Sequence, residues 1–449
     1  MNGFLRDFLL SVGVLLAFAS ASASAATVYV EQGDRLSDVL RNVIPGDTVI
    51  IRGGYYDLMA EGAYDGIVRV ATPGTSPAAW TSNTGRVDGW FGNYTTIKAE
   101  YEGTVYIRGN LHFAGSYINV EGLKIDGSFS DGNGGYYRNN SPGLFFMDSH
   151  HINVYDCAVN YCGGGGINFI HSDCISVFRN EVQYCATENR DQHSGISVYQ
   201  PIEVEAYGET DPEGRYWRIK IAQNGCHNNR NTKTHPTNGL TDGNGIILDD
   251  YKYEQEEFLN GRVTGKQAYD HRTLVEGNQC NYNGGCGIQA YLATKVTIKN
   301  NTCVGNRQHT FDAQWNYTNR GQVSLQESRD CHVLNNVLVA KYVPFAPNAA
   351  PYAASHTGAA SDRNSNTWGV NLLFGSQGQQ WWRLRQGSHI YTNAIRHNPQ
   401  FINENGPNYD FTSQYGYDRG ERWQTHIYYD LDGIAVYPET RTDLGCLQN

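Results

Sequence analysis

Two stretches of this chain repeat one another at a fixed offset. Ser149–Cys162 reads Ser-His-His-Ile-Asn-Val-Tyr-Asp-Cys-Ala-Val-Asn-Tyr-Cys, and Ser172–Cys185 reads Ser-Asp-Cys-Ile-Ser-Val-Phe-Arg-Asn-Glu-Val-Gln-Tyr-Cys. An offset of 23 residues carries Ile152 onto Ile175, Val154 onto Val177, Val159 onto Val182 and Tyr161 onto Tyr184. The unit returns at Leu274–Cys280, Val296–Val304 and Val333–Val339. Between units lie short strands led by glycine: Gly143-Leu144-Phe145-Phe146, Gly166-Ile167-Asn168-Phe169, Gly195-Ile196-Ser197-Val198, Gly245-Ile246-Ile247-Leu248 and Gly287-Ile288-Gln289-Ala290. Apolar and polar residues alternate within most pieces, the period of a β-strand. Self-similarity at this period means stacked coils, each too small to bury its own apolar face. The expected fold is all-β: a right-handed, single-stranded parallel β-helix, each coil hydrogen-bonded to the next at roughly 4.8 Å.

Aligned by coil, Asn180, Asn224, Asn278, Asn301 and Asn336 fall at one position. A buried amide has to be hydrogen-bonded, and a column of amides satisfies this along the axis of the stack. Two residues on, Val159, Val182, Cys226, Cys280, Cys303 and Leu338 make an inward column. These positions are read as architecture.

Residues 1–25 read as a secretory signal: Arg6, the apolar run Phe8–Ala19, and Ala-Ser-Ala sites at Ala21–Ala23 and Ala23–Ala25. The apolar run is short for a membrane span and no later run matches it, so the expectation is an exported or periplasmic chain without a membrane span. Residues 26–449 read as one solenoid domain, a monomer, with regular coils over about 105–342 and an irregular segment over 343–449. Ser128–Ser141 and the Ala-, Pro- and Ser-rich Pro344–Ser365 read as loops. The formal net charge of −11 argues against nucleic acid as a partner. It also means that an acidic ligand must meet a local basic patch or a bound cation. Of the 10 cysteines, Cys162/Cys185 and Cys280/Cys303 sit one coil apart. Either disulfides or a stack of buried free thiols fits this spacing.

The opening of the domain is a strand (Val28–Val30), a helical spacing over Leu36–Val43, then Pro-Gly-Asp-Thr-Val-Ile-Ile-Arg-Gly-Gly-Tyr-Tyr (Pro45–Tyr56) and Thr-Thr-Ile-Lys-Ala-Glu (Thr95–Glu100). The helix would cover the open end of the stack. This succession resembles the amino-terminal cap of the pectate-lyase-like, right-handed β-helix superfamily. Many of its members are exported polysaccharide lyases, hydrolases or epimerases, and the resemblance implies a carbohydrate substrate. Arg218-Ile219-Lys220 is a tripeptide of galacturonase-type hydrolases, but here it precedes Asp242 instead of following it, and no Gly-His-Gly or Asp-Pro-His occurs.

The sharpest chemical signal is Thr241-Asp-Gly-Asn-Gly-Ile-Ile-Leu-Asp-Asp-Tyr-Lys252, flanked by insertions at 227–244 and 249–272. Insertions in a solenoid emerge on one face and build sites there. Asp242, Asp249 and Asp250 are the expected ligands of a Ca²⁺ ion. In a lyase acting on uronic acids such an ion neutralises the substrate carboxylate, and a base then removes the adjacent proton. Lys252 and His193 are the base candidates, with Asp250 a further catalytic carboxylate; His235, Lys233, Arg218 and Lys220 are weaker ones. Asn168 and His171 on the preceding coil, and Gln289 and Tyr291 on the next, are expected to bind sugar. The same carboxylates without metal fit an inverting glycosidase. The plainer alternative is that Asp242 and Asn244 make turn hydrogen bonds and Asp249 and Asp250 are solvated. The reading is therefore an exported, Ca-assisted lyase of an acidic glycan, with a β-helix hydrolase or a non-catalytic glycan-binding solenoid as alternatives.

Overall fold

A computed structural model describes residues 25–71, 88–130, 136–203, 216–236, 239–255, 267–308, 321–341, 352–375, 428–429 and 435–436. Within them the chain winds as a parallel β-helix. Most coils carry three short strands, and strands at equivalent places in successive coils pair in parallel. Coil by coil, the first ladder holds Leu144, Ile167, Ile196, Ile246, Ile288 and Val323 in register. The second begins at Thr27–Val30 and carries Ile152, Ile175, Ile219, Thr273 and Val296. The third runs from Gly54–Asp57 to Leu372–Gly375. Two strands of 12 residues, Asn110–Glu121 and Leu144–Tyr155, bend through the first two ladders and join them into one 18-stranded sheet. Ile152 pairs with Ile175 and Val154 with Val177, as the 23-residue offset requires.

The core is the inside of the coil. Ile167 and Phe169 and their partners Ile196, Val198, Ile246 and Leu248 are fully buried. Phe113, Phe146 and Phe169 stack down the axis at centroid distances of 4.8 and 5.0 Å. Val159, Val182, Cys226, Cys280, Cys303 and Leu338 form the inward column of the third ladder. The nine described cysteines are buried, and the spacing of Cys162/Cys185 and Cys280/Cys303 marks stacked thiols. Burial and the neighbouring Cys280 push the Cys226 thiol well above its ordinary pKa, as befits an inert apolar filler.

The glycine that leads each first-ladder strand has a steric cause. A Cβ at Gly166 would lie 2.7 Å from the carbonyl oxygen of Gly195, and one at Gly195 would lie 2.7 Å from that of Gly245. Glycine is what lets consecutive coils close to hydrogen-bonding distance there.

The bend between the second and third ladders is held by asparagines. Each is preceded by a left-handed residue: Arg179, Gln223, Gly277, Asn300 and Asn335 have φ of 54–63°. The side-chain amide of Asn180 then donates to Oδ1 of Asn224 (3.0 Å), Asn224 to Asn278 (3.0 Å), Asn278 to Asn301 (2.9 Å) and Asn301 to Asn336 (3.0 Å). Asn371 ends the row. A second row sits five positions on: Asn229 donates to Asn283, Asn283 to Asn306 and Asn306 to Gln322.

Several expectations are refined. The helix spans Leu36–Arg41 and buries Leu36 and Leu40 in the core. Ser128–Ser130 and Tyr136–Arg138 form a small antiparallel pair inside the expected 128–141 loop. In the segment expected to be a loop, Tyr352–Thr357 pairs with Gly321–Gln326 and Ala360–Ser365 is helical. Its small Ala353 and Ala354 are buried, so a composition that suggests a loop also fits a packed strand. Residues 1–24 and most of 376–449 lie outside the described residues.

Replacing Asn278 by Ala removes the acceptor of two buried Asn224 donors, its backbone N–H and its side chain (2.9 and 3.0 Å). The expected cost is about 3 kcal/mol, with hydrogen exchange at the Asn224 amide accelerated more than at amides several coils away. A loss inside the surface range of about 0.5 kcal/mol contradicts this role.

Candidate functional site

Successive residues of a strand face opposite ways, so the residues between the buried apolar ones face outward. On the first ladder they line a groove of about 750 Å³ that runs across several coils. Phe145, Asn168, Ser197 and Ile247, aligned coil by coil, form one row of its floor. Tyr199, Asp249, Tyr291 and Gln326 form the next row. The turns that enter these strands supply the wall: Asp191, Gln192, His193, His235, Thr241 and Asp242. At the amino-terminal end are His112, Asn140, Ser141 and Pro142.

The wall is pinned to the coils. The Gly243 N–H and the Asn231 side chain both donate to the His193 carbonyl (2.9 Å each). Asn231 Oδ1 accepts the Asp242 N–H (3.1 Å), and Gln192 Oε1 accepts the Thr241 N–H (3.0 Å). The 186–194 and 227–244 insertions are thus tied into one rim, which places His193 beside the Asp242 turn. His193 Nδ1 lies 2.5 Å from Asn168 Nδ2 on the floor. Burial depresses the His193 imidazole to about pKa 4, against the opposing pull of Asp191. His112, with Nε2 2.5 Å from Ser141 Oγ, is depressed to about 3 by burial and by Arg69. Both are neutral imidazoles near pH 7.

Part of the floor is chemically unfinished. Asn168 Oδ1, Ser197 Oγ, Gln289 Oε1 and Ser324 Oγ are buried and meet no hydrogen-bond partner among the described residues. Gln289 and Ser324 continue the Asn168–Ser197–Ile247 row on the next two coils. Buried polar atoms of this kind cost free energy unless something bonds to them.

Of the residues singled out from sequence, Asn168, His193, His235, Asp242, Asp249 and Tyr291 line this one groove. Gln289 extends its floor and reaches Gln326 (3.3 Å). The others are placed elsewhere. The strand ends at Asp249, and Asp250 is a left-handed corner (φ 52°). Its buried carboxylate accepts from Gln200 Nε2 (2.7 Å) and from the backbone N–H of Glu254 and Gln255 (2.8 and 3.1 Å). Asp250 therefore fastens a turn. Because the strand stops, Lys252 does not share a face with the groove residues; its ammonium pairs with Asp362 (3.0 Å) and Glu254 (3.2 Å). His171 occupies the same corner one coil before Gln200, bonded to Gln200 Oε1 (3.1 Å) and to Asp148 (3.4 Å). Arg218 is buried against Asp173, Lys220 pairs with Glu276 and Lys233 with Glu188. Among the described residues no three His, Cys, Asp or Glu side chains converge as metal ligands. With Asp250 held by Gln200 and two backbone amides, Asp242, Asp249 and Asp250 do not fit a shared Ca²⁺ site.

Sequence reasoning missed Ser197, Tyr199, Asp191 and His112. The first two were available from alignment, since Ser197 and Tyr199 stack on Asn168 and Ile170 in the glycine-led repeat. His112 sits where the repeat is faint.

No family model matches the chain, and no curated protein matches it. Solved structures do. Pectate lyase Pel9A aligns at 12% identity over 94% of this chain and 96% of its own, with a TM-score of 0.41. An alginate lyase from Paenibacillus sp. aligns at 14% over 83% and 99% (TM-score 0.36). The A-module of Azotobacter vinelandii mannuronan C-5 epimerase AlgE4 aligns at 12% over 79% and 91% (TM-score 0.34). The chain spans 60% of the PL6-family alginate lyase AlyGC and 53% of a mutant form of it. The parallel β-helix of this protein rests on its own strand pairing. At such identities and scores the likeness is one of fold alone, and the chemistry has to come from the groove.

The His193 shift carries a pH consequence. Its folded pKa of about 4 lies below the unfolded value of 6.5. The unfolded chain therefore takes up a proton that the folded chain refuses, and this contribution to stability is lost as pH falls from about 6.5 toward 4. His193→Gln is expected to lose less stability than the parent between about pH 7.5 and 4.5, read by chemical denaturation at each pH. An identical loss in both proteins contradicts the buried neutral imidazole.

Proposed function

We propose that this protein is a polysaccharide-cleaving enzyme that binds a glycan chain along the first-ladder groove. One observation carries the reading: buried polar atoms of Asn168 and Ser197 on the groove floor, and of Gln289 and Ser324 in line beyond them, meet no hydrogen-bond partner among the described residues, and the groove also holds carboxylates and neutral imidazoles. Sugar hydroxyls are both donors and acceptors, and a row spaced by coils suits a repeating ligand better than a compact one. The signal-like residues 1–25 agree with export to where such polymers occur.

Hydrolysis would use a pair drawn from Asp191, Asp242 and Asp249, carboxylates that line the groove. One carboxyl group gives its proton to the glycosidic oxygen as the bond from that oxygen to the anomeric carbon breaks. Another carboxylate takes a proton from the water whose oxygen bonds to that carbon. A second reading, β-elimination on a uronate-containing glycan, is favoured by the neutral imidazole of His193 beside Asn168 and by the phenols of Tyr199 and Tyr291. There the base removes the proton next to the uronate carboxylate, the bond from the neighbouring carbon to the glycosidic oxygen breaks, a carbon–carbon double bond forms, and the leaving oxygen is protonated.

Asp249→Asn and Asp242→Asn are expected to lower kcat by about 10²–10⁴ while glycan affinity changes little. The assay is release of reducing ends from neutral, amino and uronate polysaccharides in heavy-oxygen water. Heavy oxygen in the new reducing end identifies hydrolysis; an unlabelled, ultraviolet-absorbing unsaturated end identifies elimination. Neither binding nor cleavage across the panel overturns the proposal.

A further inference from the structure

A cluster of polar side chains sits on the outward face of the third ladder, away from the groove. Glu181–Gln183, Gly225–His227 and Gln279–Asn281 are strands of three consecutive coils of that ladder. Their middle residues, Val182, Cys226 and Cys280, are fully buried and face inward, so the residues on either side face outward. Register stacks Glu181, Gly225 and Gln279 in one outward row and Gln183, His227 and Asn281 in the next.

Three observations mark the place. His227 Nε2 lies 3.3 Å from Glu181 Oε1, although the two belong to different coils and different rows. A glycine makes this approach possible: a Cβ at Gly225 would overlap the Glu181 carboxylate and lie 2.9 Å from His227 Nε2. On the next coil, Asn281 Oδ1 and Gln279 Nε2 are buried and meet no hydrogen-bond partner among the described residues. Such atoms cost free energy until something bonds to them. The pair is reachable from solvent, with 43% of the Glu181 side chain and 14% of the His227 side chain exposed. Burial holds the His227 imidazole at about pKa 4, so the ring keeps a nitrogen lone pair near pH 7.

We propose that Glu181, His227 and the side-chain oxygen of Asn281 bind a divalent transition-metal ion of the zinc class, with water completing its shell. Such an ion takes an imidazole nitrogen and a carboxylate oxygen at about 2.0–2.2 Å, and a tetrahedral angle then sets the two donor atoms about 3.3 Å apart. His227 and Glu181 already stand at that separation. The amide oxygen of Asn281 supplies a third donor, and Gln279 Nε2 offers a hydrogen bond to a metal-bound water. The ion brings positive charge to a carboxylate in a chain whose formal charge is −11. It would clasp three consecutive coils on a face apart from the groove, so the site goes beyond the cleavage reading and does not depend on it.

The test titrates Zn²⁺ into the untagged full chain after treatment with a chelator, with Ca²⁺ as the control ion. A single Zn²⁺ per chain is expected to bind, and Zn²⁺, unlike Ca²⁺, to raise the melting temperature. His227→Ala and Glu181→Gln are each expected to weaken Zn²⁺ binding by about tenfold or more. Their metal-free melting curves show whether they fold. Co²⁺ in place of Zn²⁺ is expected to give the visible absorption of a four-coordinate ion in the parent, and His227→Ala to lose it. Gly225→Ala keeps both donors but fills the space between them, and is expected to lose the ion as well. It keeps the test decisive if His227→Ala fails to fold. A parent chain that binds no Zn²⁺ overturns the proposal. So does Zn²⁺ bound as tightly by the folded variants as by the parent, which assigns the ion to other side chains.

Discussion

A buried amide whose partners are the next buried amide and the backbone carbonyls of its own bend leaves a chain very little freedom. Each asparagine from Asn180 to Asn336 accepts from the coil before it and donates to the coil after it, and Asn371 closes the row as an acceptor. A shift of one coil by a single residue would strand these amides and turn the inward apolar column outward. Register is therefore fixed at the bend between the second and third ladders, and the first ladder inherits it through the coil. The second row, Asn229–Asn283–Asn306, fixes the other end of the third ladder. That is the side from which the chain enters the glycine-led strands of the groove.

Fixed register is what turns remote residues into a site. Asn168, Ser197 and Gln289 share a row because three coils stop and start at the same places, and Tyr199, Asp249 and Tyr291 share the next row for the same reason. The wall is less regular and is tied down separately, by Asn231 and Gln192 bridging two insertions. Rigid floor and pinned rim together place neutral imidazoles and carboxylates around a space without relying on a flexible loop.

The fold was readable because its determinants are periodic. The Ile152/Ile175 offset, the asparagine column and the glycine-led strands each recur, and each has one physical cause. The second asparagine row, five residues after the first, recurs at the same period. The site was readable only in part. Asn168 and Asp249 come together because they follow the repeat, and His193 and Asp242 because the insertions that carry them are tied to each other. Asp250 and Lys252 do not, because the backbone turns left-handed one residue after Asp249, and sequence spacing alone does not reveal where a strand stops. Likewise Tyr352–Thr357 was hidden by a composition that serves a loop and a small-residue strand alike.

The central claim is that the first-ladder row is a glycan-binding surface, and crystallography with ligand addresses it directly. A structure of the Asp249→Asn protein with bound oligosaccharide is expected to show sugar units along the groove, with hydroxyls on Asn168, Ser197 and Gln289 and a glycosidic bond near residue 249. Sugar found only elsewhere on the solenoid, with those side chains bonded to water alone, would contradict the account.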